Sequence, residues 1–340
     1  MKIGIVMDKP RAKILQNEEG LLEDQIKKST AAFVEEALQT EYDTVLLVYD
    51  KDIITKLRME NVDLVFNLCN GIRGESRLSQ LPSMLESEGI PYTGSGPIPH
   101  GIAYNKIFSG KIFKASDIPT PGFYTVRSEE EVENLSLKFP VLVKPKDEGS
   151  SRGIKDDSLV YNMEDLRRKV IENLESYNPP VMITEYLDGA EYTVGIMGNR
   201  ENLRVLPIME IDLSRLPKGM NKIYSFEAKF EFEDFVTYHL PARLDDRMKK
   251  KIEETAIKAY QSLGLRDYSR VDIRLKDGIP YVIEINSLPG LNSEISDIVK
   301  MAYAEGQTYQ ELVLSIVEIA KERILVDPMQ ELVSNINEVI

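Results

Sequence analysis

Apolar positions in the first 96 residues recur with two alternating periods. The runs KIGIVM, DTVLLVYD and VDLVFNL are short and apolar, as buried strands are. Between them, EDQIKKSTAAFVEEALQ and KDIITKLRME carry apolar residues at helical spacing. RLSQLPSMLESEG then predicts a helix ending at Gly89, and IPYTGS a short strand and turn. Strand and helix in alternation predict a small parallel sheet covered by helices. The ligand edge of such a sheet lies at the carboxyl ends of its strands, here near Asn67 to Glu75.

The pattern changes at Pro97. GIAYNKIFSGKIFKASD has helical spacing, IPTPGFYTV is extended, and SEEEVENLSLK predicts a helix with a Ser N-cap and an acidic first turn. FPVLVKPKDEGSSRGI reads as a strand entering a loop, and a helix follows around NMEDLRRKVIENLE. PPVMITEYLDGAEYTVGIMGN predicts two strands about a bend at Asp188-Gly189. Beyond it the strands RVLPIMEI, SRVDIRL and PYVIEIN mix with the helices DRMKKKIEETAIKAYQSLG and TYQELVLSIVEIAKERI. This order predicts three domains, 1–96, 97–184 and 185–340, the first α/β and the others α+β. The tail DPMQELVSNINEVI predicts one more amphipathic helix, for packing or a subunit contact.

Composition narrows the function classes. The 340 residues suffice for two or three domains, and 42% hydrophobic with 29% charged residues is ordinary for a globular protein. A net charge of −14 argues against nucleic-acid binding, which rests on a surplus of Lys and Arg. No apolar run approaches a membrane span, and MKIGIVMDKP lacks the long apolar core of a secretory signal. Cys69, the single cysteine, cannot form an internal disulfide and reads as a small buried hydrophobe. His100 and His239 are too few for a histidine-rich zinc site, so a metal here would be held by carboxylates, which favours magnesium.

Two stretches carry candidate chemistry. In VLVKPKDEGSSRGI an apolar strand runs into Lys144 and then a loop of Gly149, Ser150, Ser151 and Gly153. Small residues with free N–H groups, reached past a fixed cation, hold phosphate. The lysine precedes the glycines, so this is not the P-loop order, and a plain turn is the competing reading. The second stretch is SRVDIRLKDGIPYVIEIN. Residues two apart share a strand face, which puts Arg270 with Asp272 and Glu284 with Asn286. Whether the two faces coincide depends on the turn. A two-residue Asp277-Gly278 turn pairs Asp272 with Ile283 and sends Glu284 to the other side. A three-residue loop of Lys276, Asp277 and left-handed Gly278 sets Asp272 opposite Val282 and Glu284 opposite Arg270, and all four polar groups converge. Two carboxylates, an amide oxygen and a cation on one face resemble a magnesium–phosphate site; a solvated amphipathic hairpin is the alternative.

Three further positions are weaker alone. Lys106 lies in the helix AYNKIFSGKIF and Lys229 in the aromatic segment YSFEAKFEFEDF, and single lysines are usually solvated. TEYLDGAEYT offers backbone groups at a bend followed by Glu191, suited to an adenine edge and a ribose or to a plain turn.

Taken in order, IPYTGS, NKIFSGKIFKASDIPTP, FPVLVKPKDEGSSRGI, EYLDGAEYTVGI, EAKF, SRVDIRL and IEINSLPG resemble the D-alanine–D-alanine ligases of the ATP-grasp superfamily, from about Asp63 to Val313. The resemblance implies a three-domain ATP-grasp fold and a cytoplasmic, homodimeric enzyme. Lys106 and Lys144 would contact ATP phosphates, and Glu148, Gly149, Ser150 and Ser151 would form the closing loop, with Ser150 in a catalytic hydrogen-bond network. Glu185, Tyr186 and Leu187 would hold adenine, Glu191 the ribose and Lys229 the γ-phosphate. Asp272, Glu284 and Asn286 would bind two magnesium ions, and Arg270 would stabilise the developing oxyanion. The reaction implied is carboxylate activation by ATP to an acyl phosphate, then displacement of phosphate by an amine.

Departures from the family fall on its amino-acid half. MDKPRAKILQNEEG has no positional match for the glutamate that binds the first substrate's ammonium. Asn70-Gly71 replaces a His-Gly, Phe230 replaces a common tyrosine, and the carboxylate-binding serine falls by spacing on Ile295, between Ser293 and Ser296. The expectation is a working ligase for amino-acid substrates, D-alanine first, with a looser acceptor site open to a 2-hydroxy acid. Alternatives are a ligase for other acids or a nucleotide-binding regulator without catalysis, which the intact metal ligands disfavour.

Overall fold

The computed structural model describes residues 1–10, 18–149, 151–177 and 179–325. Ser150, most of the first loop and the expected tail helix lie outside the described residues. The fold mixes helix and sheet as the patterns predict, with a parallel sheet first and antiparallel sheets after it.

Strands β1 (Lys2–Met7), β2 (Asp43–Val48) and β3 (Leu64–Leu68) pair in parallel in the order β2-β1-β3. The centre of β1 is buried throughout, which is why its sequence runs apolar instead of alternating. Helices α1 (Glu18–Leu38) and α2 (Ile53–Met59) make the crossovers. A 3-10 turn, Arg77–Ser79, leads into α3 (Gln80–Ser87).

One helical stretch in the sequence proves to be two helices, α4 (Pro97–Tyr104) and α5 (Lys106–Ala115). Asn105 breaks them by adopting an extended conformation, and its side chain accepts from the N–H groups of Ile107 and Phe108. This cap makes Lys106 the first residue of α5.

The second sheet contains β4 (Phe123–Val126), β5 (Val141–Pro145), β6 (Leu159–Val160) and β7 (Val181–Glu185) in the order β4-β7-β5-β6. Helix α6 (Met163–Ser176) covers it, packing Leu166 and Val170 with Val143 and Ile183. The acidic helix expected in SEEEVENLSLK is instead one 3-10 turn, Glu130–Asn134. Only Val132 of that turn is buried, too little apolar surface to hold a longer helix on the sheet.

The third sheet comprises β8 (Glu191–Asn199), β9 (Asn202–Val205), β10 (Met209–Asp212), β11 (Thr237–His239), β12 (Tyr268–Lys276) and β13 (Ile279–Asn286). Its path runs β11-β10-β8-β12-β13, with β9 paired to β8. Helices α7 (Phe226–Phe230), α8 (Asp246–Ser262), α9 (Asp297–Ala304) and α10 (Tyr309–Leu325) complete the described chain. Ile252, Ala256 and Tyr260 of α8 share a core with Val271, Ile273, Val282 and Ile285, and Ala103 of α4 and Phe113 of α5 join it. On the opposite side α10 packs Val313, Ile316 and Val317 with Ile3, Ile5 and Phe66 of the first sheet. The first sheet is thereby joined to the third through a shared buried apolar core, with strand ends of both facing one cavity.

Candidate active site

The β12–β13 hairpin decides the site. Its turn is the two-residue form: Asp277 and Gly278 both have positive φ (51° and 70°), and Lys276 pairs with Ile279. The three-residue loop that brought the polar faces together in the sequence is not formed. An irregularity in the ladder does that work: Ile273 pairs with Val282, but Asp272 pairs with Glu284. Ile283 is the extra residue of a β-bulge. Val282 and Ile285 keep to the core, while Ile283 and Glu284, consecutive in sequence, both line the pocket.

That pocket is a slot of about 110 Å³ between the second and third sheets. It gathers Lys144, Glu148, Ser151, Lys229, Arg270, Asp272 and Glu284, with Glu185, Tyr186, Leu187 and Glu191 at the end where β7 passes into β8. Lys106, Gly149 and Asn286 line an adjoining cavity of about 340 Å³, and Lys229, Arg270 and Glu284 line both. Lys106 Nζ lies 3.2 Å from Glu284 and also donates to the Glu148 carbonyl. Ser151 holds its loop by donating to the Tyr224 carbonyl at 2.8 Å.

Charge is arranged to receive an anion. Burial, reinforced by the nearby Lys106 charge, pulls the Lys144 ammonium down to about 8, and burial also lowers Lys229. Burial alone would raise the Glu284 carboxyl, but Lys106, Lys144 and Arg270 outweigh it and hold it near 2. Asp272 goes the other way, pushed up by burial despite Arg270. Its oxygens accept from Thr193 at 2.6 Å, from Arg270 at 3.0 and 2.9 Å, and from Asn286 at 3.2 Å.

Sequence reasoning passed over two residues here. Asp297 at the start of α9 holds Arg270 Nη1 at 3.1 Å from the side opposite Asp272. Arg274 pairs with Glu191 at 3.3 Å and lies over the Tyr186 ring at 5.3 Å. The alternation that exposed Arg270 and Asp272 also reaches Arg274, so its signal was present; Asp297 had none. Burial drives the Glu191 carboxyl up, and Arg274 opposes it. Glu185 pairs with Lys276 at the rim.

Among the described residues no cluster of three or more His, Cys, Asp and Glu could cage a metal ion alone. The donors that face one another are two carboxylates, Asp272 and Glu284, with Asn286, whose Nδ2 donates to Asp272 and leaves its amide oxygen for a cation. Hard oxygen donors, few in number, suit magnesium, which takes its remaining ligands from phosphate and water. The residues fit the ion.

Of positions 293–296, one lines the larger cavity. Ile295 is exposed and outside the lining, whereas Ser296 lines it, and its Oγ accepts from the Asn292 N–H at 2.9 Å. Phe230 also lines it, packed on Phe226 with ring centroids 4.7 Å apart. Asn70 and Gly71 donate their N–H groups to Asp8, at 2.9 and 3.0 Å.

The family profile described as D-ala D-ala ligase C-terminus matches residues 112–318. The chain belongs to the D-alanine–D-alanine ligase family. The D-alanine–D-alanine ligase of Carboxydothermus hydrogenoformans is 30% identical over 95% of this chain and 99% of its own length. An uncharacterised protein of Sinorhizobium fredii, y4sG, is 34% identical over 83% of this chain and 84% of its own. The ligase of Bacillus anthracis complexed with ATP superposes with a TM-score of 0.72 at 25% identity, covering 95% of this chain and 98% of that one. The family's ATP-grasp architecture accounts for the slot between the two antiparallel sheets, set beside the parallel sheet of β1–β3.

Proposed function

We propose that this chain joins two small acids, D-alanine foremost, with the second and third sheets clamping ATP between them. It is an ATP-dependent ligase that forms a dipeptide, and its ATP is used with magnesium. The observation that carries the assignment of roles is the convergence of Lys144, Lys229, Arg270, Asp272 and Glu284 on one slot that opens into a substrate-sized cavity.

In this reading Glu191 and the 185–187 segment hold the nucleoside, and Lys106, Lys144 and Lys229 hold its phosphates. Asp272, Glu284 and Asn286 would hold magnesium, which would supply positive charge beside the transferring group. A substrate carboxylate oxygen bonds to the γ-phosphorus as the bond to ADP breaks, which gives an acyl phosphate. The second substrate's amine then adds to the acyl carbon, Arg270 faces the oxyanion, and phosphate leaves as the amide forms. Arg270 is preorganised for this by Asp272 and Asp297 on either side. Ser296 would bind the second substrate's carboxylate. Phe230 supplies no hydroxyl to the acceptor side, which supports a 2-hydroxy acid as an alternative acceptor.

Three further parts belong to the proposal. Within 97–184, the second sheet with α6 acts as the body that opens and closes against the first and third sheets, while α4 and α5 stay packed on the third. The enzyme is cytoplasmic, in keeping with its use of ATP; among the described residues no helix is long and apolar enough to cross a membrane. It pairs as a homodimer, for which Leu46 and Val48, exposed on the outer strand β2, supply an apolar edge.

A phosphate-release screen over D- and L-amino acids and hydroxy acids with Mg-ATP tests the function, with products weighed by mass spectrometry. ADP and condensed product in equal amounts are expected. ATP binding without turnover on any acid would favour the regulatory alternative.

A further inference from the structure

Arg77 has no role in the chemistry above, and its surroundings ask for one. It opens the 3-10 turn before α3, is 7% exposed, and lines the larger cavity but not the nucleotide slot. Its guanidinium lies over the Tyr104 ring, 4.9 Å from the centroid. Nε has no acceptor, and no described carboxylate pairs with the side chain. An arginine cannot shed its proton, so a buried one without a counter-charge is costly.

The position is fixed from behind. Gly71 (φ +82°) presses on the Arg77 backbone so closely that a Cβ there would fall 1.9 Å from the Arg77 carbonyl oxygen. Gly71 is itself tied to Asp8, which is 4% exposed and paired with Lys27 at 3.0 Å. The other cations of the cavity are accounted for. Lys27 has Asp8, Lys106 has Glu284, Arg152 has Glu148, Arg270 has Asp272 and Asp297, and Lys229 faces the slot.

We propose that Arg77 is a specificity-determining residue for a substrate with an anionic side chain, so that one of the two acids joined is dicarboxylic. This rests on the ligase reading above. The carboxylate to be activated must reach the phosphate beside Lys229 and Arg270, and Ser296 serves the acceptor's carboxylate, so Arg77 is left for a further one. A planar guanidinium held by an aromatic face presents its fork for bidentate pairing with a carboxylate.

The test compares aspartate, glutamate and malate with alanine and lactate, in both hands, singly and with D-alanine as co-substrate. Binding is read by calorimetry with magnesium and a non-hydrolysable ATP analogue, and turnover by ADP release. The expected result is a preference for the dicarboxylic acids in both. In Arg77→Met the ratio of dicarboxylic to monocarboxylic kcat/KM should fall at least about tenfold. If Arg77→Met does not fold, Arg77→Lys, which keeps the charge and loses the fork, should lower the same ratio. Turnover of monocarboxylic acids only, or an unchanged ratio in a folded variant, overturns the inference while leaving the ligase intact. Failure of the ligase reading shows differently, as no ADP with any acid, and the calorimetric comparison still decides the role of Arg77.

Discussion

Asp272 and Glu284 lie directly opposite one another on adjacent strands, and they do so because Ile283 is an extra residue in β13. Without the bulge Glu284 would face the α8 core. Both carboxylates reach the slot, yet they differ in state: burial raises Asp272, while three cations hold Glu284 down. Replacing either charge by an amide, Asp272→Asn or Glu284→Gln, should lower kcat at least about tenfold at saturating magnesium. Steady-state ADP release checks it; parent-like turnover in both would remove these residues from the site.

Lys144 gives a pH signature. Its ammonium is pulled down to about 8 by burial and by Lys106, so above that pH the empty protein holds it neutral. In the proposed role at the ATP phosphates, the anion beside it would restore the proton. ATP association should therefore take up protons above about pH 8 and weaken as pH rises toward 9.5. For stability the sign is the reverse of a salt bridge. The unfolded lysine binds the proton more tightly, so this group destabilises the empty protein fully below about pH 8, and the penalty fades as pH rises toward 10.5. Binding enthalpies in buffers of different ionisation heat measure the uptake; Lys144→Met should abolish it.

The pair of Arg274 and Glu191 is buried where β7 passes into β8. Removing one partner leaves an uncompensated charge, so Arg274→Met should cost about 3 kcal/mol of stability and raise the KM for ATP. Adding Glu191→Gln should restore part of the stability, and thermal melts of the two single variants and the double variant give the coupling. Additive losses would show that the pair does not act as one unit.

Gly189 sets how β7 bends into β8. A Cβ there would fall 1.8 Å from the Leu275 carbonyl oxygen on β12, and backbone cannot yield as a side-chain tip does. Gly189→Ala should destabilise by about 2–4 kcal/mol, read as a lower denaturation midpoint. An unchanged midpoint would mean that the bend relaxes freely.

Legibility in the sequence followed the range of the forces involved. Alternation along SRVDIRL and VIEIN exposed the polar faces, because strand period is a local property. The register between them was not local: the turn is the two-residue form, and the bulge that corrects it rests on how Val282 and Ile285 seat in the α8 core. Helical spacing in 101–117 showed an apolar face, but neither the break at Asn105 nor the partner of Ala103 and Phe113. Arg77 in the sequence is an unremarkable basic residue before a helix. Only its burial, with no counter-charge among the described residues, singles it out.

Isotope transfer tests the central claim most directly. A substrate acid labelled with oxygen-18 in its carboxylate, turned over with Mg-ATP, must hand one oxygen to phosphorus if an acyl phosphate forms. The expected result is one labelled oxygen in each inorganic phosphate released, matched to condensed product. Phosphate released without label would contradict carboxylate activation at the Lys144–Glu284 slot.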